Sequence, residues 1–362
     1  MEITKNLKKA LSKIDRKREF MNREYYSLRS ILGYHWAIFY FLIGGREAGK
    51  SYAVTKFFIN QWKKYGRPFY WLRLTKESKE KLLVNNGEKL IDADIRRYYR
   101  IDIDVQGDNV YEVTKRTKDG KIKEKKMMAR VLALSTFYTD KGSALFDKDF
   151  LENPNMYYNI CLDEMNREVG VEKNTFDILY AFTNQLENLV RSTKQRLRVI
   201  CIGNLLEEAS DILCAFNFLP EEFGRYKLKK KRAIVEYIEP TEKYLARRKG
   251  TVADILMPNA STFTNKIKTD NTLVYKGRLI KANSIIKFRR DISFTMWDNG
   301  IIAEYNGEHA PIIAMRPYID ENYRQDLRNN VFEDFDGRAY KYKNLVTFKR
   351  FQKELALLRP KR

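Results

Sequence analysis

The chain has 362 residues, enough for two domains or one large one, and 44% are hydrophobic, so a buried core needs no metal or disulfide staple. Lysine and arginine number 69 against 47 acidic residues, a net charge of +22, and 23 tyrosines and 21 phenylalanines among them favour nucleic acid over membrane as the anionic partner. Two histidines, His35 and His309, exclude a histidine-rich metal site, and Cys161, Cys201 and Cys214 show neither metal-ligand spacing nor a disulfide framework.

Residues 1–35 are basic, with Leu7, Leu11, Ile14 and Phe20 at loose helical spacing, and predict a basic amphipathic helix that contacts nucleic acid, a neighbouring subunit or only solvent. The start, Met1-Glu2-Ile3-Thr4-Lys5, lacks the apolar stretch of a secretion signal. The longest apolar run, 36–45, is about half of the roughly 20 residues that a membrane helix needs. A soluble protein of a reducing cytosol is expected, with Cys161 and Cys201 as small core residues.

Residues 38–43 form a short aromatic and β-branched run, right for a buried parallel strand, and residues 52–59 then have helical periodicity. A second apolar strand follows over 68–73, completing a βαβ unit that implies a parallel sheet. Asp119-Gly120 marks a hairpin between strand-like runs at 109–113 and 127–134. Two more buried strands are expected over 157–162 and 197–202, with an amphipathic helix over 174–190 between them. The basic run 226–232 reads as a boundary; beyond it come short strands, a hairpin at Asp298-Asn299-Gly300 and a final helix over 344–358. The organisation expected is a basic helical segment (1–35), a P-loop domain of α/β class with a mainly parallel sheet (36–210), a basic linker (211–235) and a smaller α+β nucleic-acid-binding domain (236–362).

Between the first strand and its helix, Gly44-Gly45-Arg46-Glu47-Ala48-Gly49-Lys50-Ser51 fits G-x-x-x-x-G-K-[ST] at every fixed position. Glycines let backbone N–H groups close around phosphates, Lys50 reaches the β and γ oxygens, and Ser51 holds Mg²⁺. The helix beginning near Lys50 adds its positive N-terminus, so ATP or GTP is the expected ligand. The strand 158–162 delivers Asp163 to its end, where a carboxylate orients Mg²⁺, and Glu164 beside it is the candidate base for the attacking water. Paired acids favour an ATPase over a GTPase. Gly203-Asn204, at the end of the next core strand, offers a polar amide near the γ-phosphate. Arg191, Arg196 and Arg198 lead into that strand as candidate cations for the breaking bond.

A P-loop, an Asp-Glu pair and a polar residue on the intervening strand resemble the additional-strand, catalytic-glutamate ATPases. Within them the chain looks like the DNA-packaging ATPases of small, protein-primed tailed phages. The resemblance runs from about Ile38 to Asn204 and includes Arg46, Lys50-Ser51-Tyr52-Ala53, the aromatic strand ending at Arg73, Ser135-Thr136-Phe137 with Lys141-Gly142-Ser143, and Arg191 before 198–204. It implies ATP and Mg²⁺ as cofactors, with Lys50 and Ser51 on phosphate and metal, Asp163 on the metal and Glu164 as catalytic glutamate. It implies that Arg73 interacts with that glutamate and resets the site. Arg191 is implied as the finger reaching a neighbour's site, with Arg196 or Arg198 as alternatives because the spacing is one residue longer than the pattern. Lys141 is implied as a second basic residue presented in trans.

The resemblance further implies a homo-oligomeric ring, a pentamer, at a capsid portal in the host cytoplasm, with duplex DNA in its channel and a structural RNA scaffold. It implies a ribonuclease-H-type C-terminal fold whose nuclease chemistry is lost. Asp291, Asp298, Glu304, Asp320 and Glu333 are available as metal ligands there, but their spacing forms no two-metal motif. The reading that results is an ATP-driven translocase that packages duplex DNA. A helicase or terminase with an active nuclease, and a nucleotide-switched binding module with negligible turnover, are the alternatives.

Overall fold

The computed structural model describes residues 25–139, 157–166, 177–190, 196–204, 210–256, 273–274, 282–287, 292–297, 300–305, 313–316, 331–338, 340–342 and 344–359. The expected N-terminal basic helix lies outside them up to residue 24. The chain forms two compact units, one of Met1–Glu207 with Glu222–Ile267 and one of Glu208–Glu221 with Lys268–Arg362.

The first unit opens with the predicted βαβ: β1 (Phe39–Ile43), α1 (Lys50–Tyr65) and β2 (Phe69–Arg73). Apolar residues of α1 recur every three or four positions, and Val54, Phe58, Ile59 and Trp62 are all buried. Gly66, in the left-handed region at φ +63°, terminates it. Two short helices follow, α2 (Lys76–Gly87), opened by a reciprocal Thr75–Ser78 cap, and α3 (Ala93–Tyr99). The strands β3 (Ile103–Gln106), β4 (Asn109–Arg116) and β5 (Ile122–Ala133) are an antiparallel meander, with the Asp119-Gly120 turn where it is expected and Gly120 at φ +80°. Next come β6 (Tyr157–Asp163), α4 (Ile178–Val190), β7 (Arg196–Gly203) and α5 (Asp211–Ala215), the last belonging to the second unit. The first unit resumes with β8 (Gly224–Leu228), β9 (Ala233–Tyr237), α6 (Glu242–Arg248) and α7 (Val252–Leu256).

These strands make one nine-stranded sheet in the order β3-β4-β5-β2-β6-β7-β1-β9-β8. The six central strands run parallel, and antiparallel strands close both margins. Such an arrangement buries the central strands on both faces, as their unbroken apolar runs require. Phe58 of α1 packs on Phe69 and Trp71 of β2 at ring separations of 5.2 and 6.4 Å. Cys161 and Cys201 sit in this core with their thiols unpaired and pushed up in pKa by burial, as small core residues.

The expected linker over 211–235 is corrected. Residues 211–215 are a helix of the second unit, and 224–237 form two strands of the first sheet, with β9 parallel to β1 from Phe39↔Ala233 to Ile43↔Tyr237. Every residue of β9 is buried. The basic run that suggested a linker is the edge strand β8 and the turn after it; charge on an edge strand guards against pairing with another chain. The sheet therefore extends past the expected limit at residue 210.

The second unit has an antiparallel sheet of β10 (Ala282–Lys287), β11 (Ile292–Trp297), β12 (Gly300–Tyr305), β13 (Ile313–Arg316) and β14 (Lys341–Tyr342), followed by α8 (Leu345–Leu358). The pair Trp297↔Gly300 closes the hairpin expected at 298–300, and Asn344 caps α8 as a side-chain acceptor for Thr347 N–H. Among the described residues no helix is long and apolar enough to cross a membrane.

Candidate functional site

Parallel register brings the carboxyl ends of four strands together. Ile43 of β1 pairs with Gly203 of β7, Ile202 of β7 with Asp163 of β6, and Leu72 of β2 with Leu162 of β6. Residues following these ends therefore converge on one rim, the usual place for ligands in open α/β sheets. Gly44 N–H continues the ladder to Gly203 O (3.3 Å), and a Cβ on Gly44 would stand 3.1 Å from Cβ of Ile238, so the loop leaves β1 where only glycine fits without a shift.

The loop turns through two left-handed residues, Glu47 at φ +62° and Gly49 at φ +81°. Gly49 is the N-cap of α1 and supplies no side-chain acceptor, so the first-turn N–H groups keep their donor capacity. The Lys50 side chain folds back into the loop, donating to Gly44 O (2.8 Å), Gly45 O (2.6 Å) and Asn204 Oδ1 (3.3 Å). Only 5% of Lys50 is exposed. Burial lowers its pKa to about 8; Asp163 opposes that shift, and Arg46 adds to it.

Across the rim, Arg73 at the end of β2 forms a two-pronged ion pair. Its Nη1 donates to Asp163 Oδ2 (2.8 Å) and its Nη2 to Glu164 Oε2 (2.5 Å). The other oxygen of Asp163, Oδ1, accepts from Ser51 Oγ (3.2 Å). Asp163 is buried, whereas the Glu164 side chain is 41% exposed. Glu164 also has φ +61°, a left-handed backbone that costs a residue with a Cβ about 1 kcal/mol or more and that clusters at functional sites. Asn166 Nδ2 donates to Asn204 O (2.8 Å), fixing the segment that carries the amide facing Lys50.

These groups surround a cavity of about 510 Å³ lined by residues 46–52, Arg73, Lys89, Asp163, Glu164, Ile202 and Asn204. Of the residues singled out in the sequence, Arg46, Gly49, Lys50, Ser51, Arg73, Asp163, Glu164 and Asn204 line it, and Gly44 and Gly45 hold Lys50 beneath it. Lys141 and Arg191 lie outside the described residues, as do Asp291, Asp298 and Asp320. Among the described residues no group of three or more His, Cys, Asp or Glu side chains is placed to hold a metal ion.

Arg198 is not available as a reaching finger. It lies at the amino end of β7, away from the rim, and is only 9% exposed. Its Nη1 donates to Asn159 Oδ1 (3.0 Å), and its guanidinium stacks at 5.0 Å from the Phe57 ring centroid and 4.4 Å from that of Tyr157. A side chain so engaged is part of the core wall. Arg196 opens the same strand at the same end.

Two contributors escape the sequence pattern. The first is α6, which clasps the outer side of the loop. Tyr244 Oη donates to Arg46 O (2.8 Å) and accepts from Arg248 Nη1 (3.0 Å); Arg247 donates to Glu47 O (3.0 Å) and to Tyr25 Oη (2.6 Å). Tyr26 N–H bonds Ala48 O (2.9 Å). Thr241 as N-cap, with Tyr244, Arg247 and Arg248 on one helical face, was a legible signal for the helix but not for the loop it meets. The second is Lys89, which no local pattern marks.

The arrangement is an anion cradle of backbone N–H groups and a buried ammonium beside a hydroxyl–carboxylate pair suited to a hard cation. The fold that carries it is that of the viral DNA-packaging motors: the Phi-28 gp11 DNA packaging motor matches with a TM-score of 0.58 at 15% identity, over 94% of this chain and 99% of that one. The family described as Podovirus DNA encapsidation protein (Gp16) matches residues 21–296, and the chain belongs to it. The DNA packaging proteins of Bacillus phages PZA and phi29 are each 26% identical over 204 residues, covering 56% of this chain and 53% of theirs. The chain thus spans about half the length of the curated relatives it matches.

Proposed function

We propose that the chain is an ATPase that drives duplex DNA into a viral procapsid as one subunit of a ring motor. The observation that carries this reading is the single cavity in which Lys50, Ser51, Asp163, Glu164 and Arg73 meet at the rim of a packaging-motor fold. The donor set fits Mg²⁺-ATP: unshared helix-start N–H groups and Lys50 for the phosphates, and oxygens from Ser51 and Asp163 for the metal. Bound ATP supplies a transferable phosphoryl group and Mg²⁺ neutralises its charge.

The chain's own residues do the rest. Lys50, held by two loop carbonyls, is preorganised and does not have to be gathered at each turnover. Asp163 is fixed by Ser51 and Arg73, so its carboxylate presents a constant geometry. Glu164 acts as general base for water, and in the state seen here its Oε2 is taken up by Arg73. Releasing that ion pair frees the base, and re-forming it switches the site off; Arg73 is in this account the hold on Glu164. Asn204 reports the state of the cradle to β7. Lys141 and Arg191 complete a neighbour's site in trans, which gives the ring, a pentamer scaffolded by structural RNA at the portal, its order of firing. The basic surface grips phosphates without reading bases, so DNA binding is sequence-independent and falls steeply with salt.

Glu164→Gln keeps the shape and hydrogen-bonding reach of the side chain and removes its basicity. The variant is expected to bind ATP with wild-type affinity while turnover falls by a factor of at least about 100. Unchanged turnover would remove Glu164 from the base role and with it the reading of this rim.

A further inference from the structure

Four cations line the rim cavity, and two of them, Arg73 and Lys89, lie outside the phosphate loop. Lys89 lines the same cavity as Ser51, Arg73, Asp163 and Glu164. It is exposed, and among the described residues it makes no ion pair or hydrogen bond. Of its neighbours, Lys50 is held by two loop carbonyls and Arg73 by two carboxylates.

The backbone that presents Lys89 is fixed from several sides. The chain leaves α2 through Asn85 and Asn86, both left-handed at φ +51° and +56°, and Gly87 follows at φ +72°. The Asn86 side chain is bound to β3 by donating to Ile103 O (2.5 Å) and accepting from Val105 N–H (2.9 Å). Arg96 of α3 spans the turn, donating to Asn86 O (3.0 Å) and Ile91 O (2.7 Å). Leu90 and Ile91 are buried, and Thr55 Oγ1 of α1 donates to Leu90 O (3.3 Å). Three successive left-handed residues and this set of bonds hold the turn on which Glu88 and Lys89 are exposed.

Its side of the cavity follows from helix geometry. Thr55 and Ser51 are four residues apart on α1 and share a face, so the bond from Thr55 to Leu90 lays the turn along the Ser51 face. Lys89, the residue before Leu90, therefore joins the cavity lining from the Ser51 face of α1. A lysine is a compact charge on a flexible stem, suited to meeting an oxyanion that is present only part of the time.

Resting on the ATP reading of the rim, we infer that Lys89 is a substrate-binding residue acting within its own subunit, and that it reads the terminal phosphate and so separates nucleoside triphosphate from diphosphate. Loss of that phosphate removes the anion that Lys89 meets, which weakens the hold on product and leaves the hold on Lys50 unchanged.

The test is equilibrium binding of Mg²⁺ with a non-hydrolysable ATP analogue, and of Mg²⁺-ADP, to the full chain and to Lys89→Gln, Lys89→Arg and Lys50→Ala. Lys89→Gln is expected to weaken the triphosphate about tenfold and ADP less than about twofold, and Lys89→Arg to recover most of the loss. Because Lys89 is exposed, an unchanged thermal transition checks the fold of the two Lys89 variants. Equal weakening of both nucleotides, or none of the triphosphate, overturns the inference while leaving the loop as the site if Lys50→Ala abolishes binding. Wild-type affinity in Lys50→Ala would overturn the ATP reading of the rim and the inference with it.

Discussion

Lys50 is held in a state that water would not choose. Its ammonium is buried against carbonyl oxygens, and burial brings its pKa from 10.5 to about 8. Between those two values the unfolded chain holds more protons than the folded one, so this group's contribution to stability rises with pH from about 8 to 10.5, and below 8 the cost of the buried charge is fully present. Ligand binding runs the other way. A polyanion needs the charged form, so above pH 8 each binding event must draw in a proton. Nucleotide affinity should fall by up to about tenfold per pH unit above 8, and calorimetry in buffers of different ionisation enthalpy should find proton uptake growing from pH 7 to 9. Affinity that does not change across that range would mean that Lys50 is not the group met by the phosphates. At this scale the sequence was most readable where chemistry is local: the spacing of Gly44, Gly49, Lys50 and Ser51 already contains the loop. The contact of Arg73 with Glu164 came from resemblance and its second arm, to Asp163, from the structure, because nothing in β2 itself says that Arg73 will meet residues 163 and 164.

At the scale of elements, the loop is held from behind by α6 and by residues 25–26. Tyr244 is buried, with its hydroxyl between Arg46 O and Arg248 Nη1. Tyr244→Phe deletes both hydrogen bonds, keeps the ring, and should cost about 1–2 kcal/mol. For a unit of this size that is a drop in Tm of about 2–4 °C per kcal/mol, accompanied by weaker nucleotide binding because the Arg46 carbonyl loses its anchor. A lower Tm with nucleotide affinity intact would make α6 a structural brace only. The expected linker failed at this scale for a physical reason. Edge strands carry charge to stay unpaired, and in sequence a charged edge looks like a boundary. The better signal was the next five residues, Ala233-Ile234-Val235-Glu236-Tyr237, an apolar run with one acid. Glu236 is tolerated there because Arg225 of β8 pairs with it in a fork at 2.9 Å for each arm.

For the whole molecule, the site seen in one chain is an anion cradle in which the Glu164 carboxylate, the proposed base, is occupied by Arg73 of the same chain. Only the partner-supplied cations of the proposal, Lys141 and Arg191, would make turnover depend on assembly. Neither periodicity nor spacing within one chain reports what a neighbour contributes, so the proposed ring rests on resemblance alone. The central claim is best tested by steady-state ATP hydrolysis measured against protein concentration, with and without duplex DNA at low salt. A rate that rises more steeply than concentration, and more steeply still with DNA, is the predicted result. A slow rate that is linear in concentration and indifferent to DNA would contradict it.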